Sequence, residues 1–160
     1  MLNNLARMIA LAEQHFDART DPRQISFTEK DMEYIQTLHP ACMNEISNDQ
    51  GPICWVTIFP TSMANMQLFL SGKLDENELL RNTSELTPFE TIYLCSALTL
   101  PEFRNQNITF KTSVAAIEKL LLNHNIQALF TWPFSREGKQ LSEKIALHFH
   151  LPLHCVAEHP

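Results

Sequence analysis

Glycine is scarce in this sequence, with only Gly51, Gly72 and Gly138 among 160 residues. The phosphate-binding loops of dinucleotide-binding and P-loop proteins are rich in glycine, so this scarcity disfavours both classes, and it also disfavours repeat architectures. Basic residues are few as well, since 12 Lys and Arg stand against 18 Asp and Glu, giving a formal charge of −6. A positive surface for a nucleic-acid backbone is not implied, and we expect no nucleic-acid partner.

Long hydrophobic runs are also missing. The longest, residues 53–60 and 91–101, fall well short of the roughly 20 apolar residues that a transmembrane helix requires, so we expect no membrane partner. Residues 1–7 do not combine a basic segment with a continuous apolar core. This pattern argues against a secretory signal and favours a cytoplasmic protein.

The cysteines show no C-x-x-C spacing, and two of the four lie within apolar runs. They are Cys42, Cys54, Cys95 and Cys155. Reduced, buried thiols are the expected state for such a pattern. The alternative is a nucleophilic Cys95 or Cys155 paired with a histidine, which would require a lowered thiol pKa.

Histidines are concentrated near the end of the chain, where imidazole and thiolate groups could in principle bind zinc. The candidates are His148, His150, His154, Cys155 and His159. Residues two apart diverge by about 200° on a helix, and these histidines straddle a predicted helix end. The spacing therefore disfavours a zinc site, and we expect no metal.

The composition suits a single globular domain over residues 1–160. Hydrophobic residues make up 44% of the chain, enough for a buried core, and the turn-rich pieces are too short to act as linkers. Residues 2–17 place apolar side chains at steps of three and four, which predicts an amphipathic first helix. Its predicted buried stripe is Leu2, Leu5, Ile9, Ala12 and Phe16. This helix either covers a sheet or forms a homodimer contact.

Two elements are predicted next. Residues 24–27 favour a short strand, and Thr28 with Asp31 resembles a capping pair that opens a second helix, which Pro40 ends. The predicted buried face of that helix consists of Met32, Ile35 and Leu38.

A hairpin and a short helix follow. Residues 43–47 and 53–59 flank the turn at 48–51, which predicts an antiparallel strand pair. The apolar segment at 63–69 has no clear period. Asp75 and Glu78 favour the cap of a short helix that carries Leu79 and Leu80.

The C-terminal half predicts the order β-α-β-α-β. Residues 90–100 are apolar on both faces, which indicates a central strand, and strands are also predicted at 126–130 and 151–156. Helices are predicted at 109–124 and 135–150. Their expected core positions are Phe110, Val114, Ile117 and Leu121 in the first helix, and Leu141, Ile145 and Phe149 in the second.

These elements together predict the fold class. The hairpin is antiparallel, whereas the crossover from the central strand to the strand at 126–130 must be parallel and right-handed. The predicted fold is an α/β, three-layer α/β/α sandwich with a mixed sheet.

The chemistry-bearing segment is residues 100–109, LPEFRNQNIT, where the central strand leads into a helix. It resembles the GNAT superfamily of acyl-CoA N-acyltransferases, in which the strand ends in hydrophobic-x-Pro-x-aromatic-Arg and continues as Arg-x-x-Gly-x-Gly/Ala. The resemblance extends to Ser135-x-x-Gly138-x-x-Leu141-Ser142-Glu143-Lys144, where the superfamily has Asn-x-x-Ala-x-x-Leu-Tyr-Glu-Lys. It implies a centrally splayed sheet and acetyl-CoA or coenzyme A as the co-substrate.

The resemblance also implies binding residues. Backbone amides at the helix start hold the coenzyme A pyrophosphate, while the splayed strand pairs with the pantetheine amides. Asn107 and Thr109 occupy the two small-residue positions, and Asn tolerates a left-handed backbone. The implied coenzyme A contacts are Leu98, Thr99, Leu100, Arg104, Asn105, Gln106, Asn107, Ile108, Thr109 and Ser135.

The implied reaction is direct attack of an amine, on a small molecule or a peptide, at an acyl thioester. Glu90 or Glu102 would act as general base, directly or through a water, and Ser142 stands where the superfamily has a tyrosine acid. Solvated surface carboxylates are the alternative interpretation of both glutamates. Arg104 either contacts a phosphate or is a solvated or ion-paired side chain.

Two functions from different classes therefore remain open. The first is an N-acetyltransferase, which requires an open cleft between the hairpin strand at 53–59 and the central strand. The second is a catalytically inactive GNAT-like binding or structural module, in which Phe103 or Phe110 fills that cleft. Trp55 is expected in the core, whereas Trp132 lines either a pocket or the core.

Overall fold

The computed structural model describes residues 3–17, 25 and 28–156. Within these ranges the chain forms an α/β fold with one five-stranded mixed sheet and six α-helices. The strands are β1 (Met43–Asn48), β2 (Gly51–Thr61), β3 (Thr91–Thr99), β4 (Ala128–Thr131) and β5 (Leu153–Cys155). The helices are α1 (Asn4–Asp17), α2 (Glu29–Leu38), α3 (Met63–Leu70), α4 (Glu76–Arg81), α5 (Ile108–Leu121) and α6 (Arg136–Phe149). Short 3-10 helices span Pro40–Cys42 and Pro101–Phe103.

The sheet order is β1-β2-β3-β4-β5, so β3 is the central strand, as the sequence predicts. β1 pairs with β2 and β2 with β3 in antiparallel fashion, whereas β3–β4 and β4–β5 are parallel. The predicted hairpin and the predicted β-α-β-α-β order are both confirmed. The strand predicted at 24–27 lies outside the described residues except for Ile25, which is not in a strand.

Helices cover both faces of the sheet. Side chains alternate between the faces along each strand, and the pairing register places Ile58, Ile92 and Leu129 on one face and Phe59, Tyr93 and Phe130 on the other. The first group shares a buried cluster with Ile117 of α5 and Ile145 of α6. The second group shares a cluster with Ile35 of α2, Phe69 of α3 and Leu79 of α4.

The first helix is confirmed, but its predicted buried stripe is wrong at two positions. Leu5 and Ile9 are 48% and 44% exposed, whereas Asn4 and Met8 are buried. Leu11 and Ala12 pack against the core, and α1 lies against β2, so this helix covers the sheet. Asn4 is buried because its side-chain amide donates to Asn48 Oδ1 over 3.1 Å. The side chains of Leu2 and Phe16 lie outside the described residues.

Both predicted capping pairs are confirmed. Thr28 and Asp31 form a reciprocal capping box at α2, and Asp75 with Glu78 forms one at α4. Leu79 and Leu80 are buried as expected, as are Ile35 and Leu38, but Met32 is 36% exposed and its predicted burial is wrong. The segment without a clear period forms α3.

The helix α5 is confirmed, but it is rotated relative to the predicted face. Its buried residues are Thr112, Ser113, Ala116, Ile117 and Leu120. Phe110 and Val114 are half-buried, and Leu121 is exposed, so only Ile117 of the predicted stripe is fully buried. Thr112 and Ser113 tolerate burial because each hydroxyl donates to the backbone carbonyl four residues earlier.

The helix α6 agrees better with its predicted face, since Ile145 is buried and Leu141 and Phe149 pack partly against the core. No helix in the described part of the chain combines the length and the apolar character that crossing a bilayer requires.

Candidate functional site

The sheet opens between β3 and β4. In this ladder Thr91–Tyr93 of β3 pair with Ala128–Phe130 of β4, although β3 continues to Thr99. After this short ladder, the Thr131 hydroxyl donates to the Leu94 carbonyl over 3.0 Å. Beyond this point the strands diverge, and a cavity of about 930 Å³ occupies the gap.

The cavity is lined from both faces of the sheet. Val56, Ile58, Leu94, Ala97 and Thr99 share one face by register, whereas Thr57, Ser96 and Leu98 lie on the other. The cleft expected between the hairpin strand and the central strand is absent, because Cys54–Thr61 of β2 pair with Thr91–Thr99 of β3. Phe103 and Phe110, the expected cleft fillers, pack against the core instead of lining the cavity.

The edge of β3 that faces the cavity carries backbone groups that β2 does not use. The Leu100 amide donates to Ile53 on β2, so the amides of Ala97 and Thr99, an odd number of residues away, point to the opposite side. The Thr99 carbonyl accepts a hydrogen bond from Arg104 Nε over 3.0 Å. A register shift near Cys95 interrupts the β2–β3 ladder just before this edge.

A tight turn connects this edge to α5. Asn105 and Asn107 both have a left-handed backbone, with φ of 63° and 64°, which is the conformation expected at Asn107 from its sequence position. The Gln106 side chain donates to the Glu102 carbonyl, and Asn107 Oδ1 accepts from Lys144 Nζ over 2.6 Å. Asn107 makes no side-chain cap, so the first-turn amides of α5 have no partner in the helix or at its cap.

Thr109 and Ile108 form the first turn of α5. The Thr109 hydroxyl lies 2.7 Å from the Thr99 hydroxyl, which ties the helix start to the end of β3. Ile108 is half-buried and packs against the core. Arg104 and Thr109 line the cavity, whereas Asn105, Gln106, Asn107 and Ile108 do not.

Neither glutamate expected to act as a base lines the cavity. Glu90 precedes β3 at the end remote from the turn, and its carboxylate accepts the Met63 amide at the start of α3 over 2.7 Å. Glu102 forms an exposed ion pair with Arg7, with N–O distances of 2.6 and 2.8 Å. The hydrogen bond from Arg7 lowers the pKa of Glu102, and the same bond raises the pKa of Arg7.

The remaining candidates fall into two groups. Leu98, Thr99, Ser135 and Ser142 line the cavity, whereas Leu100 is buried and does not. Ser135 caps α6 by accepting the Gly138 amide, and the Ser142 hydroxyl donates to the Gly138 carbonyl over 2.9 Å. The hydroxyl of Ser142 is thus engaged within its own helix.

The tryptophans differ in their surroundings. Trp132 is 5% exposed, lines the cavity and packs edge-on against Phe69, so it serves both the core and the pocket. Trp55 is half-buried against the core, as expected, and its ring nitrogen donates to Glu45 over 2.8 Å.

Sequence reasoning missed the contribution of α1 to the cavity. Leu11, Gln14 and His15 line it. These residues lie on the same helix face as Met8, at steps of three and four, and that spacing was the available signal. Cys95, considered as a nucleophile in the sequence, also lines the cavity.

The cysteines are all free thiols in this structure. Burial raises the pKa of Cys42 to about 12 and raises the pKa of Cys155 as well, which works against a nucleophilic role for Cys155. His159 lies outside the described residues. Among the residues described, no three His, Cys, Asp or Glu side chains converge closely enough to hold a metal ion.

His39 lies away from the cavity, at the junction between α2 and the first 3-10 helix. Its Nδ1 accepts the Ala41 amide over 3.0 Å, which requires that nitrogen to be unprotonated. Burial lowers the pKa of His39, and electrostatic interactions with His124 and Lys119 lower it further.

Comparison of the chain with protein-family models, curated proteins and solved structures gives no match.

Proposed function

We propose that this protein binds an acyl-coenzyme A and transfers its acyl group to an amine, as an N-acyltransferase with a GNAT-like fold. The observation that carries the proposal is the open edge of β3 beside the uncapped start of α5. An unpaired strand edge accepts an extended chain of amides, and a helix N-terminus binds phosphate oxygens. Coenzyme A contains both ligands in one molecule, since its pantetheine is an extended chain with amides and its pyrophosphate supplies the phosphate oxygens.

The binding mode follows from this arrangement. The pantetheine amides pair with the backbone of Ala97 and Thr99, and the pyrophosphate meets the first-turn amides of α5. Arg104 is anchored through Nε to the Thr99 carbonyl, which leaves its terminal nitrogens directed to a phosphate as charge-assisted donors. The left-handed Asn107 supplies the turn for which the superfamily uses glycine.

The reaction is a single displacement. The amine nitrogen attacks the thioester carbonyl carbon, a C–N bond forms, the C–S bond breaks, and the amine proton passes to the departing thiolate. A backbone amide on the β3 edge that does not pair with pantetheine stabilises the oxyanion.

The second candidate function is a catalytically inactive binding module. One observation favours it: the groups expected to move protons are engaged elsewhere. Glu90 accepts the Met63 amide, Glu102 is paired with Arg7, and the Ser142 hydroxyl donates to the Gly138 carbonyl. Such a module would bind coenzyme A without turning it over.

Calorimetric titration with coenzyme A and acetyl-CoA tests the proposal. We expect saturable micromolar binding that weakens about tenfold in Arg104→Ala, because one charge-assisted contact is lost. Arg81→Ala is the matched control, since Arg81 ends α4 and does not line the cavity. The absence of heat at millimolar coenzyme A would overturn the proposal.

Acetyl-CoA consumption with a panel of small-molecule and peptide amines then separates the two functions. Turnover with any of these amines supports the transferase. Tight binding with no consumption above the buffer rate supports the inactive module.

A further inference from the structure

The wall of the cavity on the α5 and α6 face of the sheet combines an apolar patch with several hydroxyl groups. The register pairs Val56 with Ala97 and Ile58 with Leu94, so these four side chains share that face. Helix α6 supplies Leu141 and Ile145, which also line the cavity. We refer to these six residues as the inner chamber.

Three hydroxyl groups that adjoin the inner chamber donate their protons to backbone carbonyls. Ser113 donates to the Thr109 carbonyl over 2.8 Å, Thr131 to Leu94 over 3.0 Å, and Ser142 to Gly138 over 2.9 Å. All three residues line the cavity, yet each hydroxyl proton is already used by a backbone carbonyl. A polar group placed here would lose its hydration without gaining these donors.

The opposite side of the cavity is mixed, because Leu11, Leu98 and Trp132 line it together with polar residues. Gln14 and His15 of α1 line it, and Thr57 and Ser96, which are paired by register, lie on the other sheet face. The polar groups on this side suit an amine acceptor, whereas the inner chamber, whose six side chains are all apolar, suits a hydrocarbon.

From this division we propose that the acyl group carried by coenzyme A is a medium-length hydrocarbon chain that lies in the inner chamber. The inference rests on the proposed function and specifies its substrate class. Val56, Ile58 and Ile145 form the buried base of this wall, whereas Leu94, Ala97 and Leu141 are half-buried. An acetyl group would leave the accessible parts of these three side chains in contact with water, whereas a longer chain covers them. Each methylene buried in this way strengthens binding about fourfold until the chamber is filled.

Calorimetric titration of the protein with coenzyme A, acetyl-CoA and octanoyl-CoA tests the inference. We expect octanoyl-CoA to bind at least about tenfold more tightly than acetyl-CoA. Equal affinities for the two thioesters would overturn the inference while leaving the proposed function intact. Failure of all three compounds to bind would overturn the proposed function itself, and with it the inference.

Two variants on α6 test whether the acyl chain lies in the inner chamber. Leu141→Trp fills the inner chamber. In this variant the affinity for octanoyl-CoA should exceed that for acetyl-CoA by about twofold or less, and the affinity for free coenzyme A should be retained. Leu147→Trp is the matched control, because Leu147 lies on α6 and is 74% exposed. An octanoyl-CoA advantage that survives Leu141→Trp would place the chain elsewhere and overturn the inference. If Leu141→Trp loses the native circular dichroism spectrum, Leu141→Phe takes its place.

Discussion

Removing one hydroxyl group from the core tests the packing beneath the central strand. Tyr93 of β3 is 1% exposed, and its hydroxyl donates to Glu76 Oε1 over 2.9 Å. Glu76 is fully buried, and its other oxygen accepts the Ile25 amide over 3.2 Å. Tyr93→Phe keeps the ring and its packing but removes one hydrogen bond to a buried carboxyl group. Losing a buried hydrogen bond of this kind costs about 1–3 kcal/mol of unfolding free energy.

The second tyrosine of the chain provides the control. Tyr34 is 36% exposed and donates to the Thr83 carbonyl, so the hydrogen bond that Tyr34→Phe removes is only partly buried. We expect that variant to lose about 0.5 kcal/mol or less. Urea denaturation of both variants, followed by circular dichroism, measures the difference. A loss in Tyr93→Phe that is no larger than the loss in Tyr34→Phe would refute the reasoning.

Three further predictions concern the turn, a histidine and the thiols. Asn107→Val should cost about 1–2 kcal/mol relative to Asn107→Gly in urea denaturation, because a β-branched residue resists a positive φ; equal stabilities would contradict this. The pKa of His39 is lowered in the folded state, so its contribution to stability is complete above its ordinary value of 6.5 and is lost as pH falls below that value. The urea midpoint should therefore fall when the pH is lowered from about 7.5 to about 5.5, and this fall should be smaller in His39→Asn. An unchanged pH dependence in this variant would contradict the assigned contribution of His39 to stability. At about pH 8, peptide mass spectrometry should find alkylation of half-buried Cys155 well before alkylation of Cys42, whose pKa is about 12; equal rates would refute the assigned burial.

The order of elements could be predicted because it depends on local signals. Capping pairs such as Asp75 with Glu78, and the apolar central strand that Pro101 follows, depend on neighbouring residues only. These signals are sufficient for the hairpin, the parallel crossovers and the position of β3 in the sheet.

The choice of helix face could not be predicted in the same way. Helix α1 carries two overlapping stripes, and in the more apolar one Leu5 and Ile9 face solvent, whereas Ala12 packs against the core. The buried stripe contains Asn4, whose burial depends on a hydrogen bond to Asn48, far away in the sequence. A polar residue with a hydrogen-bond partner far away in the sequence can therefore be buried where hydrophobicity alone predicts exposure.

The cleft illustrates a limit of a different kind. Its position between β3 and β4 depends on where a parallel ladder stops, after Tyr93 and Phe130, and no residue pattern marks that point. The turn at Asn107 was predictable because Asn tolerates a positive φ locally. The engagement of Glu90 and Glu102 was not, because their partners, Met63 and Arg7, are distant in sequence.

The central claim is that coenzyme A pairs with the open edge of β3, and amide hydrogen exchange tests it most directly. Saturating coenzyme A should slow exchange of the Ala97 and Thr99 amides by at least about tenfold, because each gains a hydrogen-bond partner. The Leu98 amide serves as the internal reference, since it points toward β2 and should change little. Unchanged exchange at both Ala97 and Thr99 with coenzyme A bound would contradict the account.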